Sequence, residues 1–265
     1  MFQFLTTRRD GPIEYLTLNR PDVRNAFNEQ LIAELAQWAD AVSKDTSVRV
    51  AVLGGAGKTF CAGADLNWMA KMALHTPAEN VADATRAAAM YAALDRLPIP
   101  LIGRIHGAAL GGGAGLAVVC DVAVAEAGAI FGFTEVKVGI LPAVISPYVL
   151  AKLGQSATRE LFVTGMRFDA ERARGIGLVH AVVPVDQLDA RVGAYVEEVL
   201  TAAPGAIAAV KELLRAVAGR TPQDTVALTA LTAQTLAARR ASEEGQEGLK
   251  AFLEKRKPRW HSSGS

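Results

Sequence analysis

The sequence predicts an α/β fold with a helical C-terminal region, on three observations. Strand-like apolar runs exchange with helical-period segments through the first half of the chain. A strand pattern at 101–105 runs directly into a cluster of glycines, and after about Ser146 the patterns become helical.

Taken in order, the first strand is expected at 13–18. The first helix follows over 28–42, where Leu31, Leu35 and Val42 recur near helical spacing, and 48–53 is the next strand. An alanine-rich helix over 78–94 is stopped by Pro98 and Pro100. The strand 101–105 then leads into His106-Gly107-Ala108-Ala109-Leu110-Gly111-Gly112-Gly113. Helical patterns cover 147–153, 157–164, 170–174, 185–201, 205–217, 221–238 and 244–257. No repeat, low-complexity linker or charge block separates independent domains. Residues 1–200 are expected to form the core with the ligand site and 201–261 a helical region packed on it or on neighbouring subunits. The final 262–265 read as a flexible tail.

Composition narrows the class of function. Hydrophobic residues make up 51% of the 265, enough for one substantial core. Basic residues (28 Lys+Arg) nearly balance acidic ones (27 Asp+Glu), so no long-range field gathers nucleic acid or an anionic membrane. A small-molecule partner is favoured. Cys61 and Cys120 lie far apart, and neither has a Cys or His at metal spacing, as expected of reduced thiols in the cytoplasm. The start lacks a basic segment followed by an apolar one, and no apolar run reaches bilayer-spanning length, so neither secretion nor membrane insertion is expected.

Two glycine-rich stretches imitate nucleotide motifs and fail. Gly54-Gly55-Ala56-Gly57-Lys58-Thr59 ends like a phosphate-binding loop, but Val52 stands where that loop needs glycine and no helix pattern starts at Lys58. Gly111 to Gly115 lacks the last glycine of a dinucleotide fingerprint, because position 116 is Leu116. His106, alone before a glycine at a strand end, reads as structural.

Phe60-Cys61-Ala62-Gly63-Ala64-Asp65-Leu66 is a small-residue turn after a strand, where a ligand can approach the backbone and meet the Ala64 amide. Gly111-Gly112-Gly113 ends a strand before the apolar helix expected from Ala114 to Cys120, exposing amides at a positive helix N-terminus. Two such donors converging on a thioester carbonyl would stabilise an enolate, each worth about 3–4 kcal/mol in comparable systems. Tight turn packing is the bland alternative for either segment alone. Glu135 follows the aromatic, strand-like Phe131-Gly132-Phe133-Thr134; facing an apolar pocket, its pKa would rise toward the range useful for proton transfer. Trp68 and Met69 read as lining of a ligand pocket or as ordinary core.

Both segments, in this order, resemble the paired signatures of the crotonase superfamily, also called the enoyl-CoA hydratase/isomerase family. The similarity begins at Leu18-Asn19-Arg20-Pro21 and Arg24-Asn25-Ala26-Phe27, continues through 60–69 and 105–121, and ends at 247–256. It implies a crotonase-like spiral of ββα units with a helical C-terminal region, and a homotrimer or dimer of trimers. It also implies an acyl-CoA substrate, with CoA part of that substrate and no separate cofactor or metal. By this resemblance Ala64 and Gly112 carry the oxyanion-hole amides. Arg24, Ala26, Ala62, Asp65 and Leu66 lie along CoA, and Phe252 and Lys255 reach toward CoA on an adjacent subunit.

Hydratases of the family usually carry two glutamates at the double bond, and here the first position is Gly115 while the second is Glu135. One acid suffices to move a proton between C2 and C4, which favours an isomerase. Hydration also needs an ordered water, and the family's usual glycine after the proline is Ala143. Against the isomerase, 135–147 resembles the 3-methylglutaconyl-CoA and isohexenylglutaconyl-CoA hydratase branch. The resulting expectation is hydration of a β-branched, glutaconyl-type enoyl-CoA. Gly115 would make room beside C3, Glu135 would orient water and handle the proton, and Lys137 or Arg86 would pair with a distal carboxylate. An isomerase and a catalytically weak acyl-CoA-binding or RNA-binding protein are the competing readings; near-neutral charge speaks against RNA.

Overall fold

In the computed structural model, which describes residues 2–261, the strands are β1 (Leu5–Asp10), β2 (Ile13–Leu18), β3 (Val50–Gly55), β4 (Leu101–Ile105), β5 (Ala108–Leu110), β6 (Val122–Glu126), β7 (Ile130–Gly132), β8 (Arg167–Asp169) and β9 (Ala181–Val183). A six-stranded sheet runs β1-β2-β3-β4-β6-β9, parallel except for the β1–β2 pair. A smaller sheet runs β5-β7-β8. Residues 262–265, expected as a flexible tail, lie outside the described residues.

Burial explains what each strand looks like in sequence. β3 is covered on both faces and reads as an apolar run, and β4 is buried except at Arg104, which pairs with Asp189. β1 buries only Leu5, so the edge strand leaves no apolar signature.

The helices are α1 (Glu29–Lys44), α2 (Leu66–Met72), α3 (Pro77–Asp95), α4 (Gly112–Val119), α5 (Ser146–Thr164), α6 (Ala170–Gly175), α7 (Leu188–Thr201), α8 (Pro204–Val217), α9 (Thr225–Ala241) and α10 (Glu243–Leu253). Asn28 caps α1, and a Thr76–Glu79 capping box starts α3. The two helices expected at 147–153 and 157–164 are one element, α5, with a break at Gly154, whose φ is 73°. The C-terminal part is also less uniformly helical than expected, because β8 and β9 interrupt it.

The chain divides into two compact units, Met1–Tyr195 and Val196–Ser265, with α7 crossing the boundary. In the first, β4-β5-α4 and β6-β7-α5 are successive ββα units: each sends one strand to the large sheet, one to the small sheet, and then a helix. In the second, the end of the chain folds back on α10. Arg256 grips Glu247 through both carboxylate oxygens at 2.7 and 2.9 Å, Arg259 N–H adds a third bond at 3.0 Å, and Trp260 donates to Thr201 O. The Arg256 guanidinium, with Arg259, holds the Glu247 carboxyl down to about 2. No described helix is long and apolar enough to cross a membrane.

Candidate active site

Strand register gathers the site. β5 and β7 pair in parallel with Ala109 opposite Phe131, and a single bridge sets Cys61 beside Ala109. Three sequence-distant segments therefore share one row. Ala64 lies three residues past Cys61, Gly112 three past Ala109, and Glu135 four past Phe131, so all three emerge beyond the same strand ends.

The Ala64 amide is freed by its neighbours' bonds. Phe27 N–H donates to Gly63 O at 2.7 Å and Asp65 N–H to Phe27 O at 2.8 Å, the pattern of a parallel bridge. In that pattern the N–H of the residue between them points the other way, and among the described residues Ala64 N–H has no protein acceptor. Asp65 locks the turn: Oδ1 caps α2 through the Asn67 and Trp68 amides, and Oδ2 accepts from Arg20 at 2.8 Å. Burial pushes the Asp65 carboxyl up, but these bonds outweigh it and hold it below its usual value. Arg20 also donates to Ala26 O, while buried Asn25 accepts from Arg20 N–H and donates to Ala56 O and Thr59 O.

The second donor depends on close backbone approach. Gly111, at φ 51° and ψ −123°, turns the chain from β5 into α4 in a conformation that side chains disfavour. Gly112 is the first residue of α4, so its N–H has no intrahelical acceptor and adds to the positive helix end. A Cβ on Gly113 would stand 2.3 Å from Cys61 O, which fixes how closely α4 and the Ala64 segment approach.

Both donors and Glu135 line one cavity of about 550 Å³, with Phe27, Trp68, Met90 and Ile145 among its apolar walls. Burial pushes the Glu135 pKa up. Its Oε2 is buried without a hydrogen-bond partner among the described residues. An unsatisfied acid on an apolar wall is poised for proton transfer.

The other expected residues fall into groups. Trp68 and Ala143 line the cavity; the Ala143 amide is taken by Leu141 O at 2.8 Å. Gly115 does not line it. The room expected beside Gly115 is occupied by the protein itself: a Cβ there would lie 2.5 Å from Ile145 Cγ2 and 3.1 Å from the Tyr91 ring. Arg86 and Lys137 also stand outside the cavity wall, and Arg86 is bound to Asp83 at 2.9 Å. Ala26 is buried with its carbonyl accepting from Arg20, and the Asp65 carboxylate is engaged internally, so both position the turn.

Arg24 (φ 55°), Ala62 and Leu66 remain at least partly accessible on the same turn. In the second unit Phe252 is 81% exposed and Lys255 is exposed, with φ 53°. His106 is tied to Gly57 O at 3.0 Å, and no helix follows Lys58. Cys61, pushed up to about 12 by burial, is no nucleophile.

Tyr91 is a site residue that sequence reasoning did not single out. It was one apolar-face position among many on an alanine-rich helix, and only the fold brings its hydroxyl to Gly112.

Two backbone amides and a buried acid on one cavity are the parts that proton transfer next to a polarised carbonyl requires. Comparison with known proteins gives the family. The enoyl-CoA hydratase/isomerase family profile matches residues 8–263. A putative enoyl-CoA hydratase of Thermus thermophilus is 34% identical over 250 residues, covering 94% of this chain and 98% of that protein. The 2,3-dehydroadipyl-CoA hydratase of Escherichia coli is 37% identical over 260 residues, covering 96% and 97%. The crystal structure of an enoyl-CoA hydratase from Shewanella pealeana superposes with a TM-score of 0.93 at 39% identity, over 98% of this chain and 96% of that one. The chain belongs to the enoyl-CoA hydratase/isomerase family, and its fold is the mixed α/β fold of crotonase structures.

Proposed function

We propose that this protein is an enoyl-CoA hydratase in which Ala64 N–H and Gly112 N–H hold the thioester oxygen and Glu135 is the acid/base. The observation that carries the reading is the shared cavity of those two free amides and the desolvated Glu135 carboxyl. As water oxygen bonds to C3, the C2=C3 electron pair moves into a thioester enolate held by the two amides. Glu135 takes a proton from the water and delivers it to C2. The amides act where charge develops, so their contribution is realised in the transition state.

CoA is the substrate's own carrier, with no separate cofactor in this scheme. Its proposed course passes the accessible side of Arg24, Ala62 and Leu66. Phe252 and Lys255 complete it from an adjacent subunit of a trimer or dimer of trimers, a role supported by the exposure of Phe252. The two free, buried cysteines suit the cytoplasm.

Glu135→Gln tests the reading on crotonyl-CoA. Turnover is expected to fall by about 10²-fold or more, within the usual range for losing a general acid/base. Near-normal turnover would remove Glu135 from the chemistry.

Two further readings have specific support. A Δ3,Δ2-enoyl-CoA isomerase needs only one acid, and Glu135 is the only carboxyl in the cavity wall, among the described residues, without a cationic partner. A glutaconyl-type substrate with a distal carboxylate is supported by similarity to the Escherichia coli enzyme, whose named substrate is an unbranched dicarboxylic enoyl thioester; β-branching rests on the resemblance of 135–147 alone. On that reading Arg86, which spends one guanidinium nitrogen on Asp83 beside the cavity, takes the distal carboxylate, so Arg86→Gln should raise KM for 3-methylglutaconyl-CoA and leave crotonyl-CoA unaffected.

A further inference from the structure

Tyr91, on α3, is a buried phenol in the wall of the cavity that holds Glu135, Ala64 and Gly112. Its hydroxyl donates to Gly112 O at 2.7 Å. That bond fixes what the oxygen can still do. A phenol has one hydrogen and accepts through its lone pairs, so with the hydrogen committed Tyr91 Oη presents only an acceptor. Burial raises its pKa well above the usual phenol value, and Cys61 and Glu135 add to the rise, so the group stays neutral.

Packing holds the ring in place. Phe27 and Tyr148 flank it at centroid distances of 6.3 and 6.4 Å. Its hydroxyl end covers Gly115, where a Cβ would stand 3.2 Å from Oη. The remaining carboxylate of the cavity wall, Asp83, is already paired with Arg86.

We propose that Tyr91 Oη is a catalytic acceptor that holds the hydrogen of the attacking water that is not transferred, while Glu135 takes the other. The proposal rests on the hydratase reading. The water oxygen bonds to C3, and the C2=C3 electron pair enters the enolate held by the two amides. One water hydrogen passes through Glu135 to C2. The other stays on the new C3 hydroxyl and leaves Tyr91 with the product. Tyr91 is neither ionised nor consumed. A water gripped by one acceptor can rotate, whereas two acceptors turn its free lone pair toward C3, which is an orientational gain.

Tyr91→Phe keeps the ring and removes the oxygen. It is tested on hydration of crotonyl-CoA and on exchange of the C2 hydrogens of butyryl-CoA with solvent deuterium. Exchange needs Glu135 and the backbone donors but no attacking water. Expected is a roughly tenfold or greater fall in kcat for hydration, with exchange held within about twofold.

Unchanged hydration would overturn the proposal. So would equal loss of both reactions in a variant that melts like wild type, since Tyr91 would then act only by steadying Gly112. If the variant melts early, 3-fluorotyrosine placed at position 91 keeps the shape and weakens the acceptor; it must slow hydration and spare exchange. Wild-type enzyme that exchanges but hydrates nothing would overturn the hydratase reading and this proposal with it, an outcome distinct from failure in the variant alone.

Discussion

Glu135 is held in an environment that opposes its charge, and stability and activity should therefore part at this residue. Burial raises its folded pKa, so the folded protein binds the proton more tightly than the unfolded chain does. Stability associated with this group is full below the unfolded value and falls as pH rises toward the folded one. Glu135→Gln is expected to melt higher than wild type at pH 7–8 while losing turnover, checked by thermal denaturation beside the activity assay. In the wild type, the acid limb of kcat/KM should titrate above the usual glutamate value of 4.5.

Gly115 shows the limit of sequence reasoning at this scale. Its identity was legible and its consequence was not, because Ile145 and Tyr91, from two other elements, fill the room it leaves. Gly115→Ala should destabilise by about 1–3 kcal/mol through overpacking, measured by denaturant unfolding.

At the scale of elements, the site is a product of strand ends and caps. The Ala64 turn is held by one carboxylate that caps α2 and pairs with Arg20, both nearly buried. Asp65→Ala removes cap and pair together and is expected to cost about 3 kcal/mol or more, with kcat falling because the Ala64 amide loses its support. Glu247 plays an independent part in the second unit. Its folded pKa of about 2 lies below the usual value, so its contribution is present above pH 4.5 and lost as pH falls toward 2. The melting difference between wild type and Glu247→Gln should narrow over that range.

Elements with a clear period, such as β2 and α1, and the buried β3 and β4 and the alanine-rich α3 bounded by prolines, were legible from the chain alone. β1, β8 and β9 were not: an exposed edge strand and two three-residue strands carry too few buried side chains to set a period. α2 was also illegible, because no residue of it is buried and the Asp65 cap defines it.

At the scale of the molecule, the α/β order and the pairing of a glycine turn with a small-residue turn were visible in sequence, and the row Cys61–Ala109–Phe131 explains physically why they meet. The second unit presents Phe252 and Lys255, and replacing both with alanine is expected to raise KM for crotonyl-CoA several-fold with kcat unchanged. A fall in oligomer size by light scattering would instead assign them to assembly.

Water addition itself is measured most directly by supplying crotonyl-CoA and a 3-enoyl-CoA to the wild-type enzyme in heavy-oxygen water and weighing the products. A hydratase built on Glu135 gives a 3-hydroxyacyl-CoA carrying one heavy oxygen at C3, and Glu135→Gln gives almost none. A shifted double bond with no heavy oxygen, from either substrate, would contradict hydration and leave proton shuttling as the activity of this site.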